Sequence, residues 1–152
     1  AIDRAARVLD DLGITEPPVP SSFIHFIAPT RAVRVVVEPL RRGTRGATML
    51  SPDGAEWWVV LNANDRYEVR RFTLAHEAFH IACGTGLAFR RDGMGEFYEC
   101  SLADHFASHL LVPSGWLRRL DGAAASLVAR RCGVSLSAAR RALARVGVIN
   151  PV

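Results

Sequence analysis

The segment His76-Glu77-Ala78-Phe79-His80 contains the most specific pattern of chemically active side chains in this sequence. Two histidines four residues apart project from the same face of a helix, one turn apart. At that spacing, two imidazoles can bind one Zn²⁺ at about 2.0–2.1 Å. Glu77 lies beside the first histidine, where a carboxylate can act as general base toward a water whose pKa zinc lowers to about 7. The motif therefore predicts metal-assisted peptide hydrolysis, with His76 and His80 as ligands and Glu77 as catalytic base.

A catalytic zinc site commonly has a third protein ligand and one open position. The next helix, predicted over residues 96–112, can supply this ligand, and Glu99 and Cys100 flank its apolar face on opposite sides. Helical periodicity alone does not choose between them, and each also has an ordinary structural explanation as a helix-start carboxylate or a buried thiol. Asp104 lies one turn after Cys100 on the same face, where it can accept the ring N–H of a ligand histidine.

The elements that must position these residues follow from hydrophobic periodicity and turn-forming residues. The turn sequence Ser51-Pro52-Asp53-Gly54 lies between two apolar segments and predicts a β-hairpin. In the tail, Gly133-Val134-Ser135 resembles the tight turn of a helix-turn-helix unit. The predicted helices span residues 1–12, 70–83, 96–112 and, as a pair, 123–148; the predicted strands span residues 33–37, 47–50 and 57–61.

Composition indicates a globular protein of one domain, with room for a small appendage. The 152 residues carry a net charge of +4, and all 19 basic residues are arginine. Three cysteines exclude a fully paired disulfide framework and favour a reducing, cytoplasmic location. No apolar stretch is long enough to cross a bilayer, so we expect no membrane attachment. The sequence begins at Ala1 without a methionine, and we therefore allow for a preceding domain.

Four segments of the sequence, in the same order, resemble the ImmA/IrrE-type zinc metallopeptidases. Residues 71–80 are similar to the active-site stretch of that family, and residues 103–113 to its second signature. The resemblance extends to the opening segment at residues 12–20 and to the tail at residues 132–148. It implies an α+β fold: a zincin-like core with a small antiparallel sheet over residues 1–121, and a C-terminal helix-turn-helix-like hairpin over residues 122–152 packed on it.

The same resemblance implies a function. Members of this family are zinc-dependent endopeptidases of narrow specificity that cleave transcriptional repressors of the helix-turn-helix XRE type, in stress responses or in mobile elements. We therefore expect Zn²⁺ as cofactor and a repressor protein as partner. A peptide substrate is expected to add as a strand to the sheet edge near the motif.

The chain departs from the family pattern at the third metal ligand. In the family this ligand is a glutamate four residues before the asparagine of an Ala-Asn pair. Here Asp104 replaces that asparagine, and the residue four positions earlier is Cys100, whereas Glu99 is one residue out of register. Either Cys100 replaces the glutamate, which is the assignment we prefer, or a helix irregularity brings Glu99 to the metal, since zinc accepts both sulfur and oxygen.

Two other functions compete with proteolysis. The first is a catalytically weak or inactive relative that acts as a regulatory protein-binding module, suggested by Cys100 at the glutamate position. The second is a DNA-binding regulator, suggested by the basic pI and by five arginines in the tail. In a chain whose basic residues are all arginine, a solvated arginine-rich face is the simpler explanation, and direct nucleic-acid binding is not expected. The five tail arginines are Arg130, Arg131, Arg140, Arg141 and Arg145.

Overall fold

The computed structural model describes residues 1–28, 30–84, 94–120 and 122–148, with the backbone alone described for residues 94–100. Within these ranges the chain is an α+β structure with six α-helices, a 3₁₀ helix at Ser21–Phe26 and one three-stranded sheet. The strands are β1 (Ala32–Glu38), β2 (Gly46–Leu50) and β3 (Glu56–Asn62). The helices are α1 (Ile2–Asp11), α2 (Tyr67–Ala82), α3 (Met94–Leu111), α4 (Ser114–Arg119), α5 (Ala125–Cys132) and α6 (Leu136–Arg145).

The sheet is mixed, and the expectation of an antiparallel sheet was wrong. Strand β3 lies in the centre, with β2 antiparallel on one side and β1 parallel on the other. The hairpin of β2 and β3 is confirmed, and Gly54 adopts the left-handed conformation in its turn. Alternate side chains of β3 are buried, namely Trp57, Val59 and Leu61. Burial therefore favours β3 as the central strand, and β1 and β2 take its two sides.

Helix α2 packs against the sheet on one side and against α3 on the other. Two of its alanines, Ala75 and Ala78, are fully buried, as is Ala107 of α3, so the helices have small residues where they face their neighbours. Phe79 of α2 and Phe106 of α3 contact each other with ring centroids 5.5 Å apart. This packing presents the face of α2 that includes His76 toward α3.

Arg71 joins α2 to two segments that are distant in sequence. It is only 5% exposed, and its guanidinium donates to the carbonyl oxygen of Val19, to Ser21 Oγ at 3.1 Å and to the carbonyl oxygen of Cys132 at 3.2 Å. Burial lowers the pKa of the Arg71 guanidinium. Gly133 adopts a left-handed conformation beside it, and a Cβ there would lie 3.0 Å from Arg71 Nε. Glycine is thus required both by the backbone and by the close approach of the arginine.

The tail forms two helices, as predicted, joined at a left-handed Gly133. Ser135 caps α6, since its hydroxyl accepts from the backbone N–H of Ala138 at 3.2 Å. The tail contacts the rest of the chain through Arg145 of α6, which donates to Ser108 Oγ of α3 and Ser114 Oγ of α4. The likeness of this pair to a DNA-binding helix-turn-helix, and the division of the chain near residue 121, stay predictions.

In the part of the chain that the structure describes, no helix combines the length and the apolarity needed to cross a membrane.

Candidate metal centre

The two histidines of the motif converge on one point beside α2. His76 Nε2 and His80 Nε2 lie 3.2 Å apart, and the ring centroids lie 5.0 Å apart. Two nitrogen ligands at about 2.0–2.1 Å from a tetrahedral zinc are separated by about 3.3 Å. The observed separation is compatible with two ligands of a single ion, and the assignment of His76 and His80 as metal ligands stays a prediction.

Asp104 of α3 contacts the other ring nitrogen of His76. Its Oδ1 lies 2.7 Å from His76 Nδ1, and the Asp104 side chain is 62% exposed whereas that of His76 is 18% exposed. A carboxylate at this position favours the tautomer in which Nδ1 carries the proton and Nε2 offers a lone pair. The structure thus brings together Asp104 and His76, and the resulting arrangement suits a metal ligand oriented by a carboxylate. That role for Asp104 stays a prediction.

Glu77 is buried between α2 and the sheet, and one of its oxygens is held by a strand. Thr48 Oγ1, from the middle of β2, donates to Glu77 Oε2 at 2.6 Å. Both residues are buried, at 9% and 7% exposed. When the carboxylate is ionised, this hydrogen bond is stronger than one between two neutral groups. Among the described residues, Glu77 Oε1 has no hydrogen-bond partner and is available to a reacting group.

Sequence reasoning missed the role of Thr48. A signal was present, because Thr48 lies within the predicted strand over residues 47–50, between apolar residues. A threonine buried among apolar strand residues needs a hydrogen-bond partner, and a buried carboxylate on the neighbouring helix is a suitable acceptor. The partner itself lies 29 residues away in sequence, so only the fold reveals it.

The predicted third ligand falls on side chains outside the described residues. Glu99 and Cys100 both lie in α3, and Cys100 precedes Asp104 by one turn. Within the described residues no group of three or more metal-binding side chains occurs. The assignment of Cys100, with Glu99 as its alternative, therefore stays a prediction.

Helix α3 contains two further histidines, His105 and His109, whose surroundings differ from those of the motif histidines of α2. His105 is exposed, and His109 is partly buried. Burial, followed by the nearby charges of Arg145 and His105, lowers the pKa of His109 to about 4. His109 is therefore neutral at physiological pH.

Comparison with known proteins gives a family and a fold. A family model described as the IrrE N-terminal-like domain, of the peptidase M78 group, matches residues 31–144. No curated protein matches the sequence. Among solved structures, a Mycobacterium tuberculosis transcriptional regulator is similar, with a TM-score of 0.65 and 16% identity over 99% of this chain and 48% of that chain. The present chain spans about half the length of that protein, and at this identity the likeness is one of fold.

Proposed function

The chain belongs to the IrrE N-terminal-like family of M78 peptidases, and from that premise we propose that it is a zinc-dependent endopeptidase of narrow specificity. The observation on which the proposal rests is the convergence of His76 Nε2 and His80 Nε2, 3.2 Å apart, next to the buried carboxylate of Glu77. Membership of a peptidase family supports zinc-dependent hydrolysis of a peptide bond. The two imidazoles that converge beside a carboxylate support the same reaction.

The separation of His76 Nε2 and His80 Nε2 supports a zinc ion as the proposed cofactor. His76 and His80 would hold it together with Cys100 or, as the alternative, Glu99, and Asp104 would orient His76 through Nδ1. When bound, zinc polarises a water molecule and lowers its pKa to about 7.

Glu77 is proposed as the general base and, later, as the general acid. Thr48 holds Oε2, so the carboxylate keeps one orientation while Oε1 accepts a proton from the attacking water. The same oxygen then passes the proton to the amine that leaves from the cleaved peptide bond. Burial of Glu77 limits competing hydrogen bonds from bulk water during this transfer.

Strand β2 is the proposed docking edge for the substrate backbone. It is an outer strand of the sheet, so the backbone groups on the side away from β3 have no strand partner in the described residues. An extended peptide can pair with such an edge. Because Thr48 of β2 also contacts Glu77, a peptide on this edge would lie beside the proposed base.

The proposed substrate is a helix-turn-helix repressor of the XRE type, cleaved in a cytoplasmic stress or mobile-element response. Support for this substrate comes from the family resemblance. The similar M. tuberculosis protein is described as a transcriptional regulator, which is compatible with a role near transcription.

The test begins with metal analysis of the purified protein and of Cys100→Ser and Glu99→Gln variants. We expect about one zinc per chain, and loss of zinc in only one variant, which names the third ligand. Incubation with a candidate XRE repressor should then yield discrete fragments from the wild type and none from Glu77→Gln. Wild-type protein that binds no zinc after supplementation would contradict the proposal.

A second candidate function is a regulatory protein-binding module that has kept the fold. The observation that favours it is Cys100 at the position where the family has a ligand glutamate. The two candidates differ in one experiment: if Glu77→Gln still relieves repression in cells, binding and not cleavage produces the output.

A further inference from the structure

A cleft of about 360 Å³ lies next to the metal centre, between α2, α3 and α6. Phe72 forms part of its wall, and serine hydroxyls from α3 line it at Ser101 and Ser108. Two arginines of α6, Arg141 and Arg145, also line it. The cleft therefore combines an apolar surface with two hydroxyl groups, two guanidinium groups, the imidazole of His105 and the carboxylate of Asp104, and its N–H and O–H donors suit a carboxylate or another anion.

Arg145 is held in place by neutral acceptors. Its Nε donates to Ser114 Oγ at 3.0 Å, its Nη1 to Ser108 Oγ at 2.6 Å and its Nη2 to the carbonyl oxygen of Val112 at 2.5 Å. A guanidinium has five N–H donors, so one on Nη1 and one on Nη2 remain. Among the described residues no carboxylate lies within ion-pair distance of Arg145. The charge is therefore preorganised by the fold but is not neutralised by the residues described.

Arg141 adds a second charge on the same face of α6. It lies one helical turn before Arg145, and like charges at that spacing are unfavourable. Its side chain is exposed, and it has no hydrogen bond or ion pair with any described residue. An anion bound between the two guanidinium groups would offset the repulsion between them, and Ser101 offers a further O–H donor.

Asp104 connects the cleft to the metal centre. It lines the cleft and also accepts from His76 Nδ1 at 2.7 Å. Phe72 lies one turn before His76 on α2, so the cleft follows the same helix face as the metal-site histidines. The cleft is therefore adjacent to the metal centre, with the carboxylate of Asp104 and the ring of His76 between the cleft and the two Nε2 atoms. The cleft lining has two positive charges, on the arginines, and one negative charge, on Asp104. The Asp104 carboxylate also accepts a hydrogen bond from His76.

We propose that this cleft is a specificity subsite for an acidic residue of the protein substrate, whose carboxylate contacts Arg141 and Arg145. The inference rests on the proposed function and narrows it to substrates with Asp or Glu near the scissile bond. A single-charged carboxylate suits the cleft better than a phosphate does, because a phosphate brings about −1.5 to −2 charges next to Asp104.

The experiment measures binding in a protein that does not cleave. Zinc-loaded Glu77→Gln protein is titrated with fluorescent octapeptides of Ala and Ser that contain one Glu at each position in turn, beside matched peptides with Gln. We expect Glu at one or two adjacent positions to strengthen binding about tenfold over Gln, as a charge-assisted hydrogen bond does. Arg141→Gln should remove this preference, and it should fold normally because Arg141 is exposed.

Arg140→Gln is the matched control. Arg140 is the adjacent exposed arginine on α6 and does not line the cleft, so its variant loses the same charge and should retain the tenfold preference. Equal binding of Glu and Gln peptides, or equal losses in both arginine variants, would overturn the inference.

A titration with inorganic phosphate tests whether the cleft binds a free anion instead of a carboxylate of the substrate. Phosphate that binds more tightly than every Glu peptide, and depends on Arg141, would assign the cleft to a free anion and overturn the substrate subsite. Failure of the proposed proteolysis is scored separately, by zinc content and repressor cleavage. Absence of cleavage with a retained, Arg141-dependent preference for Glu would overturn the proposed function and leave the cleft as a binding site for acidic peptides, because peptide preference is measured without turnover.

Discussion

Arg71 and Glu77 lie less than two turns apart on α2 and are buried to nearly the same extent, yet their surroundings differ. Arg71 donates to three oxygens, which come from Val19 just before the 3₁₀ helix, from Ser21 at its start and from Cys132 at the end of α5. Glu77 receives one hydrogen bond, from Thr48, and its other oxygen has no partner among the described residues. Similar burial therefore accompanies different numbers of hydrogen-bond partners, and from this difference we predict a structural role for Arg71 and a reactive one for Glu77.

From this difference we predict separate tasks for the two parts of one helix. A buried charge whose donors are largely satisfied holds segments together, and its removal leaves their carbonyl groups unpaired. A buried carboxylate with one fixed and one available oxygen is oriented but can still exchange a proton. Variants at each position should therefore affect different measurements.

The largest expected effect is on catalysis in Glu77→Gln. Loss of the general base should lower the rate of repressor cleavage by about 10²–10⁴-fold. Zinc content and the free energy of unfolding should remain near the wild-type values, since the amide keeps the shape and an oxygen that accepts from Thr48. Glu68→Gln, on the first turn of the same helix, is the control and should cleave normally. Cleavage by Glu77→Gln at the wild-type rate would place the base elsewhere.

Arg71→Met should produce the opposite result. The carbonyl groups of Val19 and Cys132 lose their donor, so we expect the free energy of unfolding to fall by about 2–5 kcal/mol, as measured by urea denaturation. Cleavage per folded molecule should change little at a temperature where the variant is folded. Arg70→Met is the control. Because Arg70 is less buried, this replacement should lower the free energy of unfolding by less than Arg71→Met does. An equal loss of unfolding free energy in both variants would contradict the special structural role of Arg71.

Asp104→Asn should weaken zinc binding by about 10–100-fold, the range measured for partners that orient a ligand histidine. An amide can present its NH₂ to His76 Nδ1 and no longer favours the tautomer with a free Nε2 lone pair. Competition with a zinc-chelating dye measures the affinity. His105→Gln, the next residue on α3 and exposed, should bind zinc normally. Unchanged affinity in Asp104→Asn would mean that the contact is structural only.

Thr48→Val tests whether one oriented oxygen matters to the base. The change keeps the side-chain shape and removes the donor to Glu77 Oε2, so we expect kcat to fall about tenfold, as for loss of a hydrogen bond to a charged group. Thr48→Ser retains the hydroxyl and should restore most of the rate. A full rate in Thr48→Val would show that the carboxylate is positioned without the strand.

The smallest expected effect concerns His109, a partly buried titratable group without a hydrogen-bond partner among the described residues. Its folded-state pKa, lowered to about 4 by burial, lies below the ordinary value of 6.5. The unfolded chain therefore binds the proton more readily, and stability is lost as the pH falls from about 6.5 to about 4. His109→Gln should reduce this loss when the free energy of unfolding is compared at pH 7 and pH 4.5. An unchanged slope would assign acid sensitivity to other groups.

Local patterns predicted much of the fold and the centre of the candidate site. The turn residues Ser51–Gly54 are adjacent in sequence, and they predicted the hairpin of β2 and β3. The four-residue spacing of His76 and His80 likewise predicted that the two rings lie on one face of a helix. The parallel pairing of β1 with β3 was not predicted, because nothing local in either strand encodes a distant partner. The contacts of Thr48 and Arg71 were not predicted either, because their partners are distant in sequence.

The hydrogen bonds of Arg71 also bear on how fast the protein unfolds. Its acceptors lie 50 to 61 residues away, on both sides in sequence, so the set is complete only when the 3₁₀ segment and α5 have both docked. Interactions that close such long loops form late in folding, and interactions absent from the transition state mainly slow the reverse reaction. We therefore expect Arg71→Met to speed unfolding more than it slows refolding, which the two rates measured against urea concentration would show.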